Sequence, residues 1–118
     1  MDKQATGKAG QHAAETLLKN KGYHIINRNF HSRTGEIDLV ARDCDYIVFV
    51  EVKARHSLKY GYPREAVTRT KQKRIIKTAL AYLTFHGLTD SNIRFDVIEV
   101  LLQNEQVYVS HIENAFTG

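Results

Sequence analysis

The stretch Gly35-Glu-Ile-Asp-Leu-Val-Ala-Arg-Asp-Cys-Asp-Tyr-Ile-Val-Phe-Val-Glu-Val-Lys-Ala-Arg55 decides the fold. Glu36–Arg42 and Tyr46–Ala54 read as strands, and the short Asp43-Cys44-Asp45 connection between them predicts an antiparallel hairpin. Side chains alternate faces along a strand, so Ile47, Phe49, Glu51 and Lys53 share one face while Val48, Val50 and Val52 share the other. The second strand is apolar on both faces until Glu51, the pattern of a central, covered strand. On its neighbour, Glu36, Asp38 and Val40 share a face, and pairing through the tight turn brings Asp38 near Glu51.

Working outward, Ala9–Lys21 reads as a helix with an apolar stripe of Ala13, Ala14, Leu17 and Leu18, closed by Gly22. Tyr23–Phe30 reads as a strand, followed by a polar turn over His31-Ser32-Arg33-Thr34-Gly35. A second helix is expected between Pro63 and His86, with Ile75, Ile76, Ala79, Leu80 and Leu83 facing the core, Thr68 or Thr70 able to cap a restart, and Gly87 as its stop. Ile93–Leu102 and Gln106–Ile112 read as two final strands around Gln103-Asn104-Glu105. The order α-β-β-β-α-β-β describes an α/β domain, a mixed β-sheet flanked by helices, as one unit over residues 1–118.

Composition agrees and excludes several classes. At 118 residues with 42% hydrophobic and 25% charged positions, the chain is ordinary globular material that needs no covalent staple. No apolar run approaches the roughly 20 residues of a membrane helix, and the opening MDKQATGKAGQ has no secretory apolar core. Cys44 is the only cysteine, which excludes an internal disulfide and a multi-thiolate zinc site; a reducing cytoplasm is the expected location. The net charge is +4, but its distribution is uneven. Between Lys53 and Lys77, Lys53, Arg55, Lys59, Arg64, Arg69, Lys71, Lys73, Arg74 and Lys77 face a single acid, Glu65. Such a block suits a polyanion, although a solvated helix face would look the same.

Two carboxylates brought together repel unless a proton or cation lies between them. Oxygen ligands without cysteine or paired histidines favour Mg²⁺ or Mn²⁺, which activate water and neutralise phosphate charge. Lys53, two positions from Glu51 on the same face, is placed to orient a water or offset developing charge. An acid on one strand and Glu-x-Lys on the next thus make a phosphodiesterase centre. Equally, Asp38, Glu51 and Lys53 could be an ion cluster that only closes the end of the sheet, and spacing does not separate the two.

The chain resembles the PD-(D/E)xK nuclease superfamily, with Asp38 as its acid and Glu51-Val52-Lys53 as its core motif. More narrowly, it is similar to the YraN-type family of small bacterial predicted endonucleases, related in fold to archaeal Holliday-junction resolvases. The matching pieces run in order from Gly7-x-x-Gly10, Arg28-Asn29 and Gly35-Glu36-Ile37-Asp38 to Phe49-Val50-Glu51-Val52-Lys53-x-Arg55, Gly61-x-Pro63, Lys71 and Phe95-Asp96-Val97. The resemblance implies a restriction-endonuclease-like fold, Asp38 and Glu51 as metal ligands, and Lys53 as the catalytic lysine. It further implies Mg²⁺-dependent hydrolysis of DNA, at branched or repair structures among others, and a homodimer of the kind resolvases form on two-fold junctions. Lys71 alone reads as a side chain snorkelling to solvent; the resemblance makes it a phosphate contact beside Arg55, Lys73 and Arg74. Gln11 stands where the family usually has glutamate, an extra metal ligand in related nucleases, so a nucleic-acid-binding module with little or no catalysis is the alternative. Glu15, one turn on, is a candidate substitute.

The remaining chemistry-bearing residues have plainer readings. Glu36 is either a further ligand or a pairing partner of Arg55, and Asp96 in an apolar strand suggests a buried hydrogen-bonding role. The six histidines show no ligand spacing and read mostly as surface residues. Gly7-x-x-Gly10 is too short for a phosphate loop and suggests close packing or a flexible helix start. Tyr60 and Tyr62 either stack on bases or cover the core edge.

Overall fold

The computed structural model describes residues 3–56 and 67–118. Helix α1 (Lys3–Asn20) is followed by β1 (His24–Ser32), β2 (Gly35–Asp43), β3 (Tyr46–Arg55), α2 (Arg69–Phe85), β4 (Asn92–Gln103) and β5 (Gln106–Phe116). The strands form one five-stranded sheet in the order β1-β2-β3-β4-β5, with β3 and β4 parallel and the other neighbours antiparallel. This is the expected mixed α/β sheet and element order.

The β2–β3 hairpin turns through Cys44 and Asp45, with Asp43 opposite Tyr46 and Cys44 at a positive φ of 53°. The β4–β5 hairpin turns through Asn104 and Glu105, both at positive φ, the backbone twist that a two-residue hairpin needs. Covered on both sides, β3 buries Ile47, Val48, Phe49 and Val50 almost completely. Ala14 and Leu18 of α1 pack on Leu39, Val48, Val50, Ile98 and Val100. On the other face, Ile75, Ala79, Tyr82 and Leu83 of α2 pack on Ile47, Phe49, Phe95 and Val97.

Several boundaries differ from the sequence reading. Helix α1 begins at Lys3 rather than Ala9, because its first turns are held by tertiary contacts and not by an apolar stripe. A Cβ on Gly10 would lie 2.5 Å from the Ala54 Cβ, so the helix rests directly on β3 there, and Thr6 Oγ1 is hydrogen-bonded to His56 Nε2 at 2.6 Å. The expected five-residue turn after β1 is tighter: Ser32 pairs with Gly35, leaving Arg33 and Thr34 at the corner. Val67 and Thr68 are not helical; Thr68 caps α2, its side chain accepting the Lys71 N–H. Pro63, Tyr60 and Tyr62 lie outside the described residues. Leu80 is 59% exposed, whereas Tyr82, at the helical spacing from Ile75 and Ala79, is buried. Strand β5 runs on to Phe116, whose ring stacks on Phe95 at 5.1 Å.

Candidate active site at the end of the central strands

The β2–β3 ladder runs from Asp43–Tyr46 to Leu39–Val50, which makes Asp38 and Glu51 the next facing positions. Beyond Val50 the backbone pairing gives way to a side chain: the Val52 N–H donates to Asp38 Oδ2 at 2.7 Å. Asp38 is thereby fixed at the mouth of the sheet, facing Glu51. Glu51 is 9% exposed. Burial, reinforced by the hydrogen bond to and charge of Asp38, pushes its carboxyl up to about 8, against the opposing pull of Lys71 and Lys53.

Lys53 follows on the same face of β3, half-buried. Its ammonium is held below the usual lysine range, first by burial and then by the neighbouring Lys71. Lys71 Nζ stands 3.7 Å from Glu51 Oε2. What aims Lys71 there is the docking of α2 on the β1–β2 turn. Thr78, fully buried, donates to the Arg74 carbonyl at 2.8 Å and is hydrogen-bonded to Thr34 Oγ1 at 2.8 Å. Gly35 closes this turn at a φ of 148°, a backbone conformation that other residues rarely adopt.

Two cavities meet at Glu36 and Asp38. The smaller, about 470 Å³, lies under the start of α2 between Glu51, Lys71 and Arg74. The larger, a groove of about 1000 Å³, opens on the α1 side and takes in Gln11, Glu15, Lys53 and Arg55. The structure therefore brings together Asp38, Glu51, Lys53, Lys71 and Arg74, with Arg55, Gln11 and Glu15 along the adjoining groove. The carboxylate of Glu15 is engaged by Arg28, which donates from Nε at 3.0 Å and from Nη2 at 2.8 Å and holds it below the usual carboxylate range. Glu36 is exposed beside His31 Nε2 at 3.8 Å. Lys73 is exposed and lines neither cavity. It lies about 200° around the helix from Lys71.

Asn29 is a further residue at the site. It falls between the pairs Arg28–Leu39 and Phe30–Ile37, level with Asp38, has φ of 52° and lines the larger groove. An asparagine within a strand pattern is a weak sequence signal, because only the fold shows that its backbone is left-handed.

Among the described residues, no three His, Cys, Asp or Glu side chains converge as a ready-made metal cage. The donor set nevertheless fits Mg²⁺ or Mn²⁺. Asp38 and Glu51 are hard oxygen donors at facing positions of β2 and β3, and Mg²⁺ is commonly held by one or two carboxylates with waters and phosphate oxygens completing its shell.

Asp96 is structural, as its place in an apolar strand suggested. Fully buried, it accepts from Arg94 Nε at 2.9 Å and from the Asn114 N–H at 2.9 Å, and it contacts His111 Nε2 at 2.7 Å. The histidines are mostly surface groups as read, and His111 is the exception: its side chain is only 2% exposed, drawn in by this buried acid.

The sequence model of a family described as "Uncharacterised protein family UPF0102" matches residues 10–100. The chain is 50% identical over 112 residues to a UPF0102 protein of Clostridium acetobutylicum, covering 93% of this chain and 92% of that one. It is 47% identical over 121 residues to a UPF0102 protein of Acetivibrio thermocellus, covering 98% and 93% of the two chains. A UPF0102 protein of Geobacter sulfurreducens is 49% identical over 111 residues, with 93% and 87% covered.

Proposed function

The chain belongs to the UPF0102 family, and from the chemistry of its site we propose that it is a metal-dependent nuclease of the PD-(D/E)xK type that hydrolyses phosphodiester bonds in DNA. The observation that carries this reading is the facing pair Asp38 and Glu51 at the mouth of the sheet, the second of them buried, with Lys53 and Lys71 beside them. A pair that only closed the end of a sheet would be solvated or fully compensated. Here two acids face each other, one of them buried, next to an open groove. Asp38 and Glu51 would hold Mg²⁺ or Mn²⁺, which when bound supplies an activated water and a counter-charge for the phosphate.

The protein's own groups divide the remaining work. Lys53, half-buried beside Glu51 with its ammonium held below the usual range by burial, is suited to orient the attacking water. Lys71 and Arg74 present positive charge from α2 to the phosphates on either side of the bond that is cut. Glu36 marks the junction of the two cavities and is a secondary candidate ligand. One observation favours the alternative of a binding module with weak catalysis: Lys71 places its own positive charge 3.7 Å from Glu51, and the nearby first-helix side chain is the neutral Gln11.

A cleavage assay on labelled linear, flapped and four-way-junction DNA, with Mg²⁺, Mn²⁺ or EDTA, separates these readings. Metal-dependent cutting by the natural protein that is lost in Asp38→Ala is the expected result. Salt-sensitive binding with no cutting by either protein would establish the binding module instead.

A further inference from the structure

The cavity under the start of α2 is lined by acids and cations together: Glu36, Asp38 and Glu51 from the sheet, Lys71 and Arg74 from the helix. Lys71 Nζ stands 3.7 Å from Glu51 Oε2, well inside the roughly 8 Å over which physiological salt screens charge. The two sets of groups suit opposite ligands, and each obstructs the ligand of the other. Asp38 and Glu51 suit a divalent cation, but Lys71 holds a positive charge beside them. Lys71 and Arg74 suit a phosphate, but a phosphate there meets the acids. Burial, and after it the nearness of Lys71, holds the Lys53 ammonium below the usual lysine range, so positive charge is already crowded at this point.

The attachments of these groups decide which of them can respond to a ligand. Asp38 is held by the Val52 N–H at 2.7 Å, Glu51 is buried and Lys53 is half-buried. The backbone at Lys71 is fixed as well. Its N–H donates to Thr68 Oγ1 at 3.2 Å, and one turn on, Ile75 is buried and the Arg74 carbonyl accepts from Thr78. Beyond that backbone, the Lys71 side chain is 38% exposed, on a flexible four-carbon stem. Of these four groups, Lys71 is the one that can turn without disturbing the fold.

Resting on the nuclease reading, we propose that Lys71 couples the two ligands of this site. It lies against Glu51 in the metal-free protein and turns to a phosphate of the nucleic acid when a divalent cation binds, so that cation and nucleic acid each tighten the binding of the other. By linkage the two effects are equal in size. A divalent ion carries twice the charge of a proton, so Lys71 opposes the ion more than it opposes protonation of Glu51. Its removal therefore favours the ion whether or not Glu51 is protonated beforehand.

The test uses the full chain, Mn²⁺ followed by electron paramagnetic resonance, and a DNA duplex with a phosphorothioate backbone that resists cutting. Mn²⁺ affinity is measured on the protein alone and on the protein saturated with DNA, with the Mn²⁺ bound by DNA alone subtracted. The natural protein should bind Mn²⁺ at least about fivefold tighter when DNA is present, the lower end of ordinary coupling between sites. Lys71→Met keeps the stem and removes the charge. Without DNA it should bind Mn²⁺ about fivefold or more tighter than the natural protein does. With DNA, where Lys71 has already turned away, the two proteins should agree within about twofold. Lys71→Arg restores the charge and should return the affinity without DNA towards the natural value, and thermal melts establish that both variants are folded. An affinity without DNA that is unchanged or weaker in Lys71→Met, or equal tightening by DNA in both proteins, overturns the coupling and leaves the nuclease reading standing. No Mn²⁺ binding by the natural protein, with or without DNA, overturns both.

Discussion

Glu51 is a carboxyl group almost removed from water and set beside a second acid, and the consequence is a dependence of stability on pH. Its value in the folded protein is about 8 against an ordinary 4.5, so the folded chain binds this proton more tightly than the unfolded one. The contribution to stability is therefore complete below about pH 4.5 and is lost as pH rises through about 8. In EDTA the melting temperature should fall across that window, by the equivalent of a few kcal/mol. Glu51→Gln keeps the hydrogen-bonding shape and removes the titration. It should match the natural protein near the bottom of the window and melt higher above it. The same slope in both proteins would show that another group is responsible. At this scale much of the site was legible: strand alternation and a tight turn fix which side chains face each other, and a slip of one residue would have sent both acids to opposite faces. The side-chain hydrogen bond from Asp38 to the Val52 N–H was not legible, because it depends on where the ladder ends.

Between elements, the contact that decides the site is α1 on β3. Gly10 has no room for a side chain, whereas Gly7 has open space, although both are glycines in one helix. Gly10→Val should destabilise the fold by about 1–3 kcal/mol through overpacking. Gly7→Ala should stabilise it by up to about 1 kcal/mol through helix propensity alone. Chemical denaturation of the two variants tests the pair, and a loss at both positions would mean that the groove is filled by the protein itself. The sequence reading named close packing as one of two roles for these glycines, but not which glycine packs. The start of helix α1 is not legible in the sequence because Lys3 to Lys8 carry no apolar stripe and are held by Gly10 against Ala54 of β3 and by Thr6 on His56 just past its end. In α2, the side chain of Thr68 stops the helix, and Thr78 fastens it to the β1–β2 turn by a buried hydroxyl pair that no periodicity signals.

For the whole molecule, the net charge of +4 matters less than where the fold gathers its cations. Lys71 and Arg74 line the cavity beside Glu51, Arg55 lines the groove, and Lys73 faces away on the same helix. Each cation that contacts a phosphate contributes roughly 0.7–0.9 to the slope of log binding constant against log salt. Lys71→Ala and Arg74→Ala should each flatten that slope by about this amount, while Lys73→Ala leaves it nearly unchanged, as measured by anisotropy titrations at several salt concentrations. Equal effects at all three positions would place the strand across the outer face of α2. Among the described residues, no helix is long and apolar enough to cross a membrane.

The sequence by itself determined the order of elements, the central position of β3 and the facing of Asp38 and Glu51, because all three follow from local periodicity and one short turn. Only the tertiary structure decided that Lys71 reaches Glu51 while Lys73 does not, that His111 is buried on Asp96, and that a groove opens beside Gly7. Those depend on how helices seat on the sheet, which is set by contacts between residues far apart in the chain, such as Gly10 with Ala54 and Thr34 with Thr78.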